Sequence, residues 1–156
     1  MSKRLLQGGI TDDQLTVRKF IQSREKMKDL LCEVDLVIMP SKSEGYGLVA
    51  LEALSAGLPI LVSSKSGFAR ALKNIHVPVG DSCIVDSCDP AKWAEAVEGV
   101  GVRHSLRLEE MKYLRDCYGR SYSWKKQCEN LVKRLWTMVN GMVYYLLVIV
   151  TCSIEK

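Results

Sequence analysis

Two carboxylates and two glycines stand close together in Ser41-Lys42-Ser43-Glu44-Gly45-Tyr46-Gly47-Leu48-Val49-Ala50-Leu51-Glu52. Their types and spacing suit a charged small molecule. The first turn of a helix leaves backbone N–H groups without intrahelical partners, and the helix dipole makes that end partly positive. A helix starting at about Gly47 would turn the N–H groups of Gly47, Leu48 and Val49 toward an anion such as a phosphate. Gly45 and Gly47 let the backbone approach without side-chain clashes. Glu52 follows Leu48 by four residues, so it shares that face and tilts back toward the helix start, where it can accept hydrogen bonds from ribose hydroxyls. Glu44, in the loop ahead of the helix, can face the hydroxyls of a bound sugar. A plainer alternative stays open: Glu44 caps the backbone and Glu52 sits on a solvated face.

Positioning this stretch takes a strand before it and a stop after it. Leu36-Val37-Ile38-Met39 is a continuous apolar run, as expected of a parallel strand covered on both faces. Gly57 suits the end of the helix, and Pro59 prevents its continuation. Ile60-Leu61-Val62 reads as a second buried strand. Ser64-Lys65-Ser66-Gly67 follows as a small-residue turn, then a short helix from Phe68 to Leu72.

Outward from there, Leu15 to Ile21 reads as a strand on its β-branched and aromatic residues. Ser23 can cap a helix whose apolar face is Met27, Leu30, Leu31 and Val34. Residues 74–82 read as loop and Cys83-Ile84-Val85 as a short strand. Asp89-Pro90 is a strong helix start, with Trp93, Ala94 and Val97 as the buried stripe. Helices are also expected from Ser105 to Tyr118, ending near Gly119, and from about Ser123. The last has Trp124, Cys128, Leu131, Leu135 and Met138 at steps of four and three. Strands alternating with helices mean an α/β domain with a parallel sheet of about four strands, whose ligands bind beyond the C-terminal strand ends.

The totals agree with such a domain. The chain has 156 residues, 47% hydrophobic and 26% charged, with a net charge of +4. A charge this mild and scattered does not ask for nucleic acid. Six cysteines raise the question of disulfides. Their placement in helical and strand patterns, and a start (Met1-Ser2-Lys3-Arg4-Leu5-Leu6) that does not read as a leader, favour reduced thiols in a cytoplasmic protein. No C-x2-C pair occurs, and His76 and His104 are far apart, so no metal site is expected. Residues 1–14 read as irregular. Residues 140–156 form an apolar tail in which Met142 to Cys152 is nearly free of polar groups. That is short of the roughly 20 residues a spanning helix needs. A packed strand or helix, or a non-native extension, is the expectation, with a tail anchor as the alternative.

Ser41 to Leu72, SKSEGYGLVALEALSAGLPILVSSKSGFARAL, resembles the signature of GT-B glycosyltransferases of family 4, the "glycosyl transferases group 1" type. Glu44 and Glu52 have the spacing of that family's E-x7-E motif. The "PS" before it, the "EGYG" loop, the "EAL" stretch, the "AGLPI" break and the small-residue turn follow in order. Ile84-Val85-Asp86 with Asp89-Pro90, and Ser123-Trp124, look like later landmarks, so the resemblance covers roughly residues 15–139. It implies a Rossmann-like, partial C-terminal domain that binds a nucleotide-diphosphate sugar such as a UDP- or GDP-sugar, in an enzyme that transfers sugar with retention and commonly needs no metal. Glu44 would contact the donor sugar and Glu52 the ribose. Gly45, Tyr46, Gly47, Leu48 and Val49 would hold the diphosphate. Family members carry the acceptor site largely on a first Rossmann-like domain. The resemblance therefore implies transfer only when missing parts complete the site, or else a non-catalytic binding or interaction module. The sheet edge facing the missing strands would be open, covered by a partner or used in a homodimer. Lys42 and Lys65 do not stand where the family's basic residues do, and Lys65-Ser66-Gly67-Phe68 departs from its glycine-rich turn.

Overall fold

The computed structural model describes residues 11–154. The chain divides at Asp35/Leu36 into two units. In the first, Asp12–Gln14 forms a single 3-10 turn, so part of the stretch expected to be irregular is ordered; residues 1–10 lie outside those described. Helix α1 spans Arg24–Cys32, with the Ser23 hydroxyl accepting from the Lys26 amide at 3.4 Å. Leu31 is its buried residue, and Val34 falls beyond its end. Arg18 and Glu33 form an exposed ion pair. The strand expected over Leu15 to Ile21 is absent: residues 15–23 carry no regular element. Val17 is 66% and Phe20 89% exposed. Among the described residues no strand pairs with this stretch, and β propensity alone does not make a strand.

The second unit holds the sheet. Its order is β1 (Val37–Met39), α2 (Leu48–Ala56), β2 (Ile60–Ser63), α3 (Gly67–Lys73), α4 (Pro78–Asp81), β3 (Ile84–Val85), α5 (Pro90–Val102), α6 (His104–Ser121) and α7 (Trp124–Ile154). Three strands, not four, pair in parallel in the order β1-β2-β3. Ile38 lies opposite Leu61, and Val62 opposite Ile84. The central strand β2 is buried at every position. β1 is an outer strand, and no strand pairs with its far edge among the described residues. Ile38 is 48% exposed, so the expectation of cover on both faces fails for β1 and holds for β2.

Leu61, Val85, Trp93 and Val100 form one core cluster, with Leu36, Ala96 and Val97 against it. Ala94, expected in that stripe, is exposed; the helical period puts Ala96 and Val100 inward instead. Helices α2, α3, α4 and α6 pack on one another, α2 and α3 also against the strands. Phe68, Leu54, Leu72, Met111 and Leu114 are fully buried, each stabilising by about 1.5–3 kcal/mol.

The caps follow the sequence. Gly57 has φ +82° and donates to the Ala53 and Leu54 carbonyls, closing α2. The Asp89 carboxylate accepts from the Ala91 amide at 2.9 Å, with Pro90 as first residue of α5. Two boundaries differ. Residues 74–82 are not all loop, because Pro78 at a first helical position starts α4. Gly119 lies inside α6; at about 1 kcal/mol a glycine does not stop a helix held by packing on either side.

Among the described residues five cysteines are free, Cys83 and Cys117 of them buried. Burial pushes the Cys83 thiol up to about 12, so it stays protonated and inert. On α7, Trp124, Leu131, Leu135 and Met138 are 52–81% exposed. The helix runs on to Ile154, so Met142 to Cys152 is helical. The packing of those side chains, and with it the tail-anchor expectation, lies outside what is described. Among the described residues no helix is long and apolar enough to cross a membrane.

Candidate functional site

The chain leaves β1 through Pro40 into the loop 41–47. Gly47 caps α2 in the left-handed region, at φ +94° and ψ +57°, where a side chain is strained. A Cβ there would stand 3.6 Å from Glu44 Cγ and from Phe68 Cβ, so the loop closes tightly over Phe68. No side chain caps α2. The Ala50 amide already bonds the Gly47 carbonyl at 3.1 Å. The Leu48 and Val49 amides have no acceptor among the described residues, and no acidic side chain lies in that first turn.

Glu44 does not cap the backbone. Its half-buried carboxylate accepts from the Ser41 hydroxyl at 2.9 Å, which fixes it beside the open helix end. Glu52 is exposed on α2, one turn beyond Leu48. Both halves of the motif therefore lie on one loop-and-helix element. Glu44, Gly45, Tyr46, Gly47, Leu48 and Val49 are contiguous around the helix start, while Glu52 stands apart on its flank.

The turn after β2 is built differently. The Ser66 hydroxyl accepts from the Ala69 amide at 3.0 Å and donates to the Ser63 carbonyl at 2.9 Å. The Gly67 amide donates to the Gly45 carbonyl at 2.9 Å, and the Phe68 amide to the Tyr46 carbonyl at 2.6 Å. The start of α3 is thus spent on its own cap and on holding the glycine loop. Gly67 is required there, since a Cβ would lie 2.4 Å from the Gly45 oxygen.

Beyond the C-terminal strand ends a cleft of about 330 Å³ opens between Ser41 and Lys42 after β1, Ser63, and Ser87, Cys88 and Trp93 after β3. The Trp93 indole donates to the Ser87 carbonyl at 2.9 Å and firms that rim. Glu44 and Glu52 do not line it; the motif sits beside the cleft. A smaller hollow of about 160 Å³ includes Ser64, Lys65 and Asp86. The Ser64 hydroxyl donates to the Asp86 carboxylate. That bond, helped by the Lys65 and Lys73 charges, holds the Asp86 carboxyl below its ordinary range.

Sequence reasoning missed an aromatic group behind the loop. Tyr46 meets Phe68 edge-on at 6.0 Å between centroids, Phe68 meets Tyr118 at 5.8 Å, and Tyr118 meets Tyr122 at 4.8 Å. The Tyr46 and Tyr118 hydroxyls are hydrogen-bonded. Tyr118 sits in the last turn of α6 and Tyr122 just past its end, and no local signal in the sequence points from either to Tyr46.

Sequence comparison shows the class of protein that carries this parallel sheet and glycine loop: the chain belongs to the family 4 glycosyltransferases. The matching model is that of "Family 4 Glycosyltransferase in conflict systems", and it takes in residues 2–131. Curated relatives include the D-inositol 3-phosphate glycosyltransferases of Paenarthrobacter aurescens (strain TC1) and Corynebacterium urealyticum. The first is 31% identical over 109 residues, 70% of this chain and 26% of the relative. The second is 32% identical over 118 residues, 74% and 26% respectively. The enzyme of the same name from Pseudarthrobacter chlorophenolicus is 42% identical over 66 residues, 42% of this chain and 15% of the relative. The chain spans about a quarter of the length of the first two relatives. No solved structure matches it.

Proposed function

We propose that the second unit is donor-binding machinery of a retaining glycosyltransferase and takes a nucleotide-diphosphate sugar such as a UDP- or GDP-sugar. The amides of Leu48 and Val49, with the backbone of Gly45, Tyr46 and Gly47, hold the diphosphate. Glu44 accepts from donor-sugar hydroxyls and Glu52 from the ribose. As the sugar leaves, negative charge grows on the diphosphate, and donors already aimed at that place stabilise it without reorganising. Transfer to an acceptor requires a second Rossmann-like domain facing this one. The reading needs no metal and places the protein in the cytoplasm, where nucleotide sugars are available.

One observation carries the proposal: Glu44 is pinned by Ser41, leaving the start of α2 uncapped. Had Glu44 closed the helix end, an anion would find neither free amides nor a tolerant charge there. Membership of the glycosyltransferase family supports the same reading. Calorimetric titration with UDP, GDP and their glucose and mannose conjugates tests it. Binding is expected for at least one, with Glu52→Gln weakening it about tenfold, as for one charge-assisted hydrogen bond. A folded sample that binds none of them would sink the proposal.

A further inference from the structure

The glycine loop is held from two sides, and only one is explained by its backbone. Its carbonyls at Gly45 and Tyr46 take the first amides of α3. Its one aromatic side chain, Tyr46, reaches across to α6. There its hydroxyl bonds the Tyr118 hydroxyl, while both rings pack on buried Phe68. Tyr118 is in turn backed by Tyr122, whose hydroxyl donates to the Ala71 carbonyl of α3 at 3.2 Å. Burial, ahead of the Tyr46 bond itself, pushes the Tyr118 phenol up, so Tyr118 keeps its proton, and either hydroxyl can donate to the other. Ring packing alone would seat Tyr46 without that bond; Phe at either position fills the same space.

We infer that Tyr118 is a positioning residue for the nucleotide-sugar site: through the Tyr46 hydroxyl it fixes the glycine loop, and so the place of the Leu48 and Val49 amides. The inference rests on the donor-site reading. It goes beyond it in assigning part of the site's geometry to the end of α6, more than sixty residues downstream of the motif. Tyr118 touches no substrate; it acts through Tyr46.

The test uses the full chain with Tyr118→Phe, Tyr46→Phe, the double variant and, as control, Tyr113→Phe, an exposed tyrosine on the same helix. All are titrated with whichever UDP- or GDP-sugar the parent binds. Each of the first two singles should lose roughly three- to tenfold in affinity, the scale of one neutral hydrogen bond. The double should lose no more than either single, because all three lack the same bond. The control should match the parent. A second arm needs no ligand: amide hydrogen exchange at Gly67 and Phe68, the donors to the loop, should quicken by a similar factor in Tyr118→Phe, while Val62 in β2 stays unchanged. Parent-like affinity in Tyr118→Phe, or additive losses in the double, would overturn the inference. If the parent binds no nucleotide sugar, the donor-site reading fails by itself. The exchange arm then still decides whether Tyr118 holds the loop, and unchanged exchange at Gly67 and Phe68 refutes it.

Discussion

The two strand-to-helix turns, β1 to α2 and β2 to α3, share a layout and differ in what they do with a helix start. After β1, Gly47 caps the helix through backbone conformation alone, and the Leu48 and Val49 amides are left without acceptors among the described residues. After β2, Ser66 caps the helix with its side chain, and the next amides go to the carbonyls of the first turn. One turn is kept open and the other is spent holding it open. An uncapped helix end is a local cost that packing elsewhere must offset. It stands beside a neighbour whose first amides are all taken, and that contrast is what the donor-site proposal rests on.

The comparison breaks most sharply at Gly67→Ala. The added Cβ meets the Gly45 oxygen at 2.4 Å and Tyr46 Cα at 3.0 Å. Both atoms are backbone, so the turns must part. We expect a loss of about 1–3 kcal/mol, as for an overpacked core, read as a lower urea midpoint; an unchanged midpoint would show that the turns are not wedged together. Ser66→Ala should cost about 1 kcal/mol, the usual worth of a helix cap, measured in the same way. The open turn has no capping side chain whose removal could do the same.

The smallest effect is electrostatic. The Ser64 bond holds the Asp86 carboxyl below its ordinary 3.8. A depressed folded value means this contribution is present above the unfolded value and is lost as pH falls through the folded one. Ser64→Ala should raise the Asp86 pKa toward 3.8, followed by NMR titration of the side-chain carboxyl. No upward movement would mean that Lys65 and Lys73 are sufficient without the hydroxyl.

Much of this contrast was readable in the sequence where chemistry is local. Gly47 before an apolar helix, Gly57-Leu58-Pro59 after it and Asp89-Pro90 at the head of α5 each state a backbone need that only those residue types meet, and each stands where expected. The misreadings came where distant partners decide. Leu15 to Ile21 looks like a strand from its composition, but among the described residues no strand pairs with it. Leu36 to Met39 looks covered on both faces, but an outer strand of three residues leaves Ile38 open. The Glu44–Glu52 spacing was plain. That Ser41 and not the backbone holds Glu44 depends on loop conformation, and Tyr118 on a contact between residues 72 positions apart. No periodicity encodes either.

The strand order has a bearing on how the sheet assembles. Because β1, β2 and β3 are neighbours both in space and along the chain, each parallel pairing closes over a single helical crossover or a short helical pair. Parallel sheets whose strands pair out of sequence must close long loops first, and they fold slowly for that reason. Here β2 can receive either neighbour independently, and the β1–β2 closure forms the glycine loop in the same step. The β1–β2 crossover thus carries, within one local closure, the whole segment proposed to bind the sugar donor.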